Sequence, residues 1–296
     1  MDYKTGIIFI RNSDARYDNR LNKAVATCQK ANFTPVVLSW IRGSKIKPLT
    51  PHYVAEQKVE WKYFSLNASF GKNLLNIFHL LAYNLWILAN LWKLRDKYLI
   101  IYACDLDVLV PSVIVSLLGR KKVIYDIFDF YAHTHMNRYP RPISRMIEKL
   151  EYTLCRFPSA VIVCTENRAK ILKKNSGIEP IIVHNTPAIG PSVIGALWQE
   201  LDISRFPQHC LKLAYVGTLC DKGRLLKEVI DLAMSSSQYV LFVAGTGPLS
   251  SYIQDCSNKS CNVIWLGQVD YSRALAIQSH ADLLFATYDP AITINK

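Results

Sequence analysis

Residues 99–126 read LIIYACDLDVLVPSVIVSLLGRKKVIYD. Two short runs in it, Leu99–Cys104 and Lys122–Asp126, are apolar on both faces, as strands are in the middle of a parallel sheet covered by helices. Runs of the same kind recur outward from there, at Ile7–Ile10, Thr34–Ser39, Ala160–Cys164 and Pro180–His184, with helical segments between several of them. That alternation predicts a parallel, doubly wound sheet. After residues 188–210 the pattern resumes. Leu211–Gly217, Tyr239–Gly245, Asn262–Gly267 and Asp282–Thr287 look like strands, separated by helical patterns at Arg224–Ser235, Pro248–Cys256 and Ser272–His280. The expectation is α/β throughout, with one domain over 1–187, a linker over 188–210 and a second domain over 211–296.

The chain has 296 residues, half of them hydrophobic and 20% charged, which excludes disordered, collagen-like and coiled-coil classes. Lys and Arg exceed Asp and Glu by 35 to 23, a net charge of +12. The excess is confined to one part. Residues 1–187 hold 27 basic and 14 acidic residues, and residues 188–296 hold 8 and 9. An N-terminal part at +13 suits an acidic partner: nucleic acid, an anionic membrane surface or a phosphorylated substrate. General solubility charge is the plainer reading. Nucleic acid is the weakest of the partners, because the basic residues are spread over loops and form no recognition motif.

The eight cysteines include no C-x-x-C pair, and several sit in apolar runs as buried thiols do. A reducing cytoplasm is expected, with no disulfide framework and no zinc site. The opening Met1–Ile10 has too short an apolar core for a signal peptide and reads as a first strand. Residues 74–92 carry no charge over 19 positions, the minimum for a membrane span. At about 100° per residue, however, Asn76, His79, Tyr83 and Asn90 fall within about 60° of one another, with Asn84 apart, and a polar stripe argues against lipid on all sides. The segment reads as a crossover helix on the sheet, or else as one lying in a membrane interface, with Trp86, Trp92, Lys93, Arg95 and Lys97 at headgroup level.

No G-x-G-x-x-G follows the first strand and there is no Walker A sequence, so a dinucleotide there is not expected. The first turn instead holds Arg11, Arg16 and Arg20, between a strand's carboxyl end and a helix, which suits an anionic ligand or a solvated loop. Lys122 to His133 places Asp126, Asp129, Tyr131 and His133 at the carboxyl end of a central strand. Carboxylates beside aromatic faces suit sugar hydroxyls and acid–base work, which makes Asp126, Asp129 and His133 the catalytic candidates. Asp126 could also serve only as a cap. Farther on, Tyr215 to Arg224 follows a strand and opens a helix, and Val243 to Leu249 repeats the arrangement 28 residues later. Gly217, Thr218, Gly223, Gly245 and Gly247 with Lys222 and Arg224 suit a nucleotide diphosphate crevice; purely structural turns would look the same.

In this order the pieces resemble glycosyltransferase family 4, the retaining nucleotide-sugar transferases of the GT-B fold. The matching pieces are Arg16 to Lys23, Tyr125-Asp126-Ile127-Phe128-Asp129, His184-Asn185-Thr186-Pro187, Gly217 to Gly223, Gly245-Thr246-Gly247-Pro248, Val263 to Gly267 and Ala281 to Pro290. The resemblance implies two Rossmann-like domains and acceptor contacts in the first-domain loops, around Arg16, Arg20, Tyr131, Asp126 and Asp129. It places the donor diphosphate at Gly217, Lys222 and the Gly245–Gly247 turn. It implies transfer from a nucleotide-diphosphate sugar with no cofactor and usually no metal; taken with the +13 of residues 1–187 and the uncharged stretch 74–92, the expected acceptor is a lipid-linked or envelope polysaccharide at the inner face of a membrane. The family often has His where Phe128 stands and Arg where Thr218 stands. Family sequences also continue past the segment like Tyr288-Asp289-Pro290 into a donor-gripping loop, so a second domain that is incomplete at Lys296 is expected. A truncated non-catalytic remnant and a nucleotide-sugar epimerase of similar fold are the alternatives.

Overall fold

The computed structural model describes residues 6–42, 53–54, 57–67, 75–131, 140–186, 210–221, 223–269 and 271–287. It divides into two compact units, Met1–Asn185 and Thr186–Lys296. His133, Lys222 and most of the stretch 188–210 lie outside the described residues.

In the first unit, β1 (Gly6–Arg11) leads through a 3-10 turn (Ala15–Tyr17) to α1 (Asn19–Lys30) and β2 (Thr34–Ile41). A two-stranded antiparallel pair, β3 (Tyr53–Val54) and β4 (Gln57–Lys58), precedes β5 (Glu60–Ser65) and α2 (Leu75–Lys93). Then come β6 (Ile100–Cys104), α3 (Leu106–Gly119), β7 (Lys122–Asp126), α4 (Arg141–Leu154), β8 (Ala160–Val163), α5 (Glu166–Ser176) and β9 (Ile181–Ile182). Seven strands form one parallel sheet in the order β5-β2-β1-β6-β7-β8-β9. The chain steps outward from β1 to β5, then returns through α2 to β6 on the other side of β1. The order therefore reverses between β1 and β6, and the crevice at the carboxyl ends of strands beside such a reversal is where open α/β sheets bind ligands.

Side chains alternate between two cores, as the period of a strand requires. Ile8, Ile10, Leu38, Ile101, Val123 and Val161 pack on one face against α2 to α5. Ile7, Phe9, Val37, Tyr102 and Cys104 face α1 and the small hairpin. The edge is less buried than its apolar sequence suggests: Ile181 and Ile182 of β9 are exposed.

The second unit contains β10 (Leu211–Val216), α6 (Leu226–Ser235), β11 (Tyr239–Ala244), α7 (Ser250–Lys259), β12 (Val263–Trp265), α8 (Tyr271–His280) and β13 (Leu283–Leu284). Its strands are parallel in the order β12-β11-β10-β13, reversing between β10 and β13. Leu213, Tyr215, Leu241 and Val243 pack against α6 and α7, while Ala214, Val240 and Phe242 pack against α8.

All eight cysteines are free thiols. Among the described residues, no helix is long and apolar enough to cross a membrane. Trp86, expected at headgroup level in the interface reading, packs inward instead, its ring 5.8 Å from those of Tyr83 and Phe64. Trp92 is exposed.

Candidate functional site

The carboxyl ends of β1, β6, β7 and β8 carry a network of alternating charge. Arg11, the last residue of β1, donates from Nε to Asp18 at 2.7 Å and from Nη1 to Asp105. Asp18 also caps α1, accepting from the backbone N–H of Leu21 at 3.0 Å, which satisfies a donor left over at every helix start. From the first turn of α1, Arg20 reaches across to Asp126 at the end of β7. The other oxygen of Asp126 accepts from the Tyr102 hydroxyl at 2.7 Å. Asp105 follows β6 directly and accepts the backbone N–H groups of Phe128 and Asp129 at 2.9 and 3.3 Å. Arg168, from the first turn of α5, donates to Asp129 at 2.6 Å and to the Phe128 carbonyl.

Phe128 is clamped between two cations, with the Arg11 and Arg20 guanidiniums 4.3 and 4.4 Å from its ring centroid. Both lie within the range at which an aromatic face attracts a cation. In the family that the motif resembles, a histidine often stands here. The phenyl ring supplies no proton acceptor, and it serves as a spacer that holds the two guanidiniums apart.

Burial sets the electrostatics of the site. The Asp126 carboxyl is almost fully buried, which raises it above the usual carboxylate range, with Arg20 and the Tyr102 hydroxyl pulling the other way. Asp105 is raised for the same first reason, against Arg11 and two backbone donors. Burial opposes the charge on Arg11, but Asp105 and Asp18 overcome it and leave the guanidinium more firmly protonated than an ordinary arginine. The Asp129 side chain is 61% exposed.

These groups line an open cleft of about 690 Å³, with Arg11, Asp18, Arg20, Phe128, Asp129 and Arg168 in its wall. The sequence candidates fall into three groups. Arg20 and Asp129 line the cleft, and Asp126, buried, holds Arg20 from below. Arg16 folds back on Asp14, with contacts of 2.6 and 3.0 Å, and lies over the Trp61 ring. Tyr131 is held at its backbone N–H by Glu151 at 3.1 Å, a buried carboxylate that also accepts from the Tyr125 hydroxyl. Asp105 and Arg168 were not singled out in the sequence. Asp105 had a usable signal, an acid directly after a buried strand. Arg168 had none, because the helix carrying it begins about 40 residues after Asp129.

In the second unit the glycine turns lie at the carboxyl ends of β10 and β11. Gly245, at φ +139°, has its Cα so close to the neighbouring turn that a Cβ would stand 1.8 Å from the Gly217 carbonyl oxygen. At Gly247 a Cβ would stand 2.2 Å from the Leu219 carbonyl oxygen. Backbone bonds tie the turns together, Gly217 N–H to Ala244 at 3.0 Å and Leu219 N–H to Thr246 at 3.0 Å. The second turn thus needs glycine in order to pack against the first, as well as leaving room for a ligand. Gly217 and Thr218 are exposed, and Gly223 adopts φ +81° just before α6. The residue before α6, Leu225, has no side chain able to cap its first turn. The Arg224 carbonyl accepts from Thr287 at 2.6 Å, which ties the entrance of α6 to the chain after β13. Among the described residues, no group of three or more His, Cys, Asp or Glu could hold a metal ion.

No protein-family model matches the sequence, and no curated protein is significantly similar to it. Solved structures do match. The lipopolysaccharide outer core galactosyltransferase WaaB in its apo form superposes with a TM-score of 0.60 at 14% identity, covering 95% of this chain and 74% of its own. HepE of Anabaena in complex with UDP and glucose gives 0.60 at 16% identity, covering 94% and 73%. Sucrose-phosphate synthase of Thermosynechococcus elongatus gives 0.63 at 14% identity, covering 97% and 77%. At such identities the likeness is one of fold: the chain is α/β with the two Rossmann-like parallel-sheet units of the GT-B architecture.

Proposed function

We propose that the chain is a retaining glycosyltransferase that moves a sugar from a nucleotide-diphosphate donor to a lipid-linked or envelope polysaccharide acceptor. One observation carries this reading. At the carboxyl ends of β10 and β11, two interlocked glycine turns lead into α6 and α7, and the residue before α6, Leu225, offers no side-chain cap. Amide donors and the positive end of a helix dipole suit a diphosphate. Gly217, Thr218, Gly223 and Arg224 lie at this edge, with Lys222 in the same sequence run, and Gly245 and Gly247 support them from behind. A diphosphate leaving group held in this way is stabilised as its charge develops. The solved neighbours with this fold include HepE with UDP and glucose bound.

The cleft of the first unit is the acceptor side. Asp129 is the exposed carboxylate there, and Arg168 holds it in place; it would orient an acceptor hydroxyl and accept its proton. Asp126 acts through Arg20, whose position it fixes. His133 follows in the same sequence run as Asp129. The enzyme works at the cytoplasmic face of a membrane, where a lipid-linked acceptor is presented.

The test is transfer of isotope-labelled sugar, from a panel of nucleotide-sugars, into the lipid extract of a membrane preparation. Product with the anomeric configuration of the donor supports the reading, as does a fall in turnover of about a hundredfold or more in Asp129→Asn. Inverted product, or no loss in that variant, would contradict it.

A further inference from the structure

The helix α2 carries apolar side chains on two sides: Ile87 and Leu91 are fully buried in the core, and a second stripe faces away from it. Its polar positions face the interior: the Tyr83 hydroxyl donates to the Arg11 carbonyl at 2.8 Å, and Asn84 donates to the Asp107 carbonyl at 3.1 Å. The apolar positions of the other stripe face outward. Ile77, Phe78, Leu81, Leu85 and Trp92 are 48–68% exposed, and at about 100° per residue they fall within about 100° of one another. The next helix repeats the arrangement, with Val110, Ile114, Leu117 and Leu118 at 42–72%. On α4, Ile143, Met146 and Leu150 are exposed as well. Since α3 lies between α2 and α4 on one face of the sheet, the three stripes sit side by side. Scattered exposed leucines are ordinary; a continuous apolar surface on three adjacent helices marks an interaction face.

Charge identifies the occupant. The carboxyl ends of α2 and α3 lie at the amino edge of the sheet, and there Lys93, Arg95, Lys97, Arg120, Lys121 and Lys122 stand against one acid, Asp96. The Arg95 guanidinium lies 5.3 Å from the exposed Trp92 ring, an aromatic and a cation at the border between apolar and wet surface. The opposite ends of the stripes reach the sheet edge that carries Arg11 and Asp105. We propose that the outer face of α2, α3 and α4 lies on an anionic lipid bilayer, with the apolar stripes in the interface and the basic rim on the headgroups. This deepens the reading of a lipid-linked acceptor, but it is measured without donor or turnover, so each can fail alone.

The experiment is flotation of the full chain with phosphatidylcholine vesicles, with and without phosphatidylglycerol, over a series of salt concentrations. Wild type should float with the anionic vesicles, less so as salt rises. Leu81→Ser/Leu85→Ser/Leu117→Ser should lower partitioning about tenfold or more, with its circular dichroism and urea midpoint close to wild type because all three side chains are exposed. Lys93→Gln/Lys97→Gln/Arg120→Gln should lose about fivefold per charge on anionic vesicles and little on neutral ones. The proposal is overturned if wild type stays in the soluble fraction with anionic vesicles, or if both variants float as wild type does. It is also overturned if vesicle binding is absent and sedimentation shows self-association that the serine variant abolishes, which would assign the face to a second copy of the chain.

Discussion

Asp105 shows how much of the first-unit site rests on one residue. Its φ of +67° and ψ of 167° belong to a region that in practice only glycine enters without strain. The side chain offsets that strain by holding two backbone N–H groups and Arg11. The usual order of substitutions should therefore reverse. Asp105→Ala keeps the strain and loses the bonds, whereas Asp105→Gly loses the bonds alone, so the glycine variant should be the more stable by about 1 kcal/mol in urea unfolding. A more stable alanine variant would show that the backbone there is unstrained.

Asp126 gives a pH signature. Its carboxyl is raised by burial beyond what Arg20 restores, so over a window that starts at the ordinary carboxylate value the folded chain holds more protons than the unfolded one. Its contribution to stability is present below that window and is lost as pH rises through it. Asp126→Asn removes the dependence. Relative to wild type, the variant should gain up to about 1.4 kcal/mol for each pH unit inside the window, read from urea midpoints at stepped pH. A difference that stays flat, or widens against the variant, would mean that Arg20 outweighs burial.

Among the elements, β7 was legible from end to end, because a run apolar on both faces and flanked by charge has few other homes. β5 was not read: Glu60 and Lys62 interrupt it, its side chains are mostly half-buried, and it gains its place by pairing with β2 at the sheet edge. The polar stripe of α2 was visible as a periodicity, but periodicity fixes an angle and not the side that faces the sheet. Partners decided that, and they lie in Arg11 and Asp107. The glycine turns were legible as turns, whereas their packing on each other required the fold. It predicts that Gly245→Ala costs about 2 kcal/mol or more, since both the positive φ and the contact with the Gly217 carbonyl forbid a Cβ. Thermal unfolding within a few tenths of a kcal/mol of wild type would mean that the two turns are not in contact.

For the whole molecule, the charge asymmetry and the two-part α/β pattern were readable from composition and alternation. The positive excess lies in the unit with the outward apolar helices and the arginine-lined cleft. In the proposed reading, the near-neutral second unit would hold a diphosphate through backbone amides and a helix terminus more than through net charge. Asp126 and Asp129 could be placed at a strand's end from the sequence, and Arg20 between a strand's end and a helix. The Arg168 and Asp105 contacts depend on β6, β7 and β8 lying side by side.

The central claim is that the second unit holds a nucleotide-sugar by its diphosphate, and calorimetric titration of the full chain with a panel of nucleotide-sugars tests it most directly. One of them should bind saturably at one site per chain, about tenfold more weakly in Arg224→Ala and with unchanged affinity in Arg20→Ala. Saturable binding by none of them, or binding that Arg20→Ala weakens and Arg224→Ala does not, would contradict it.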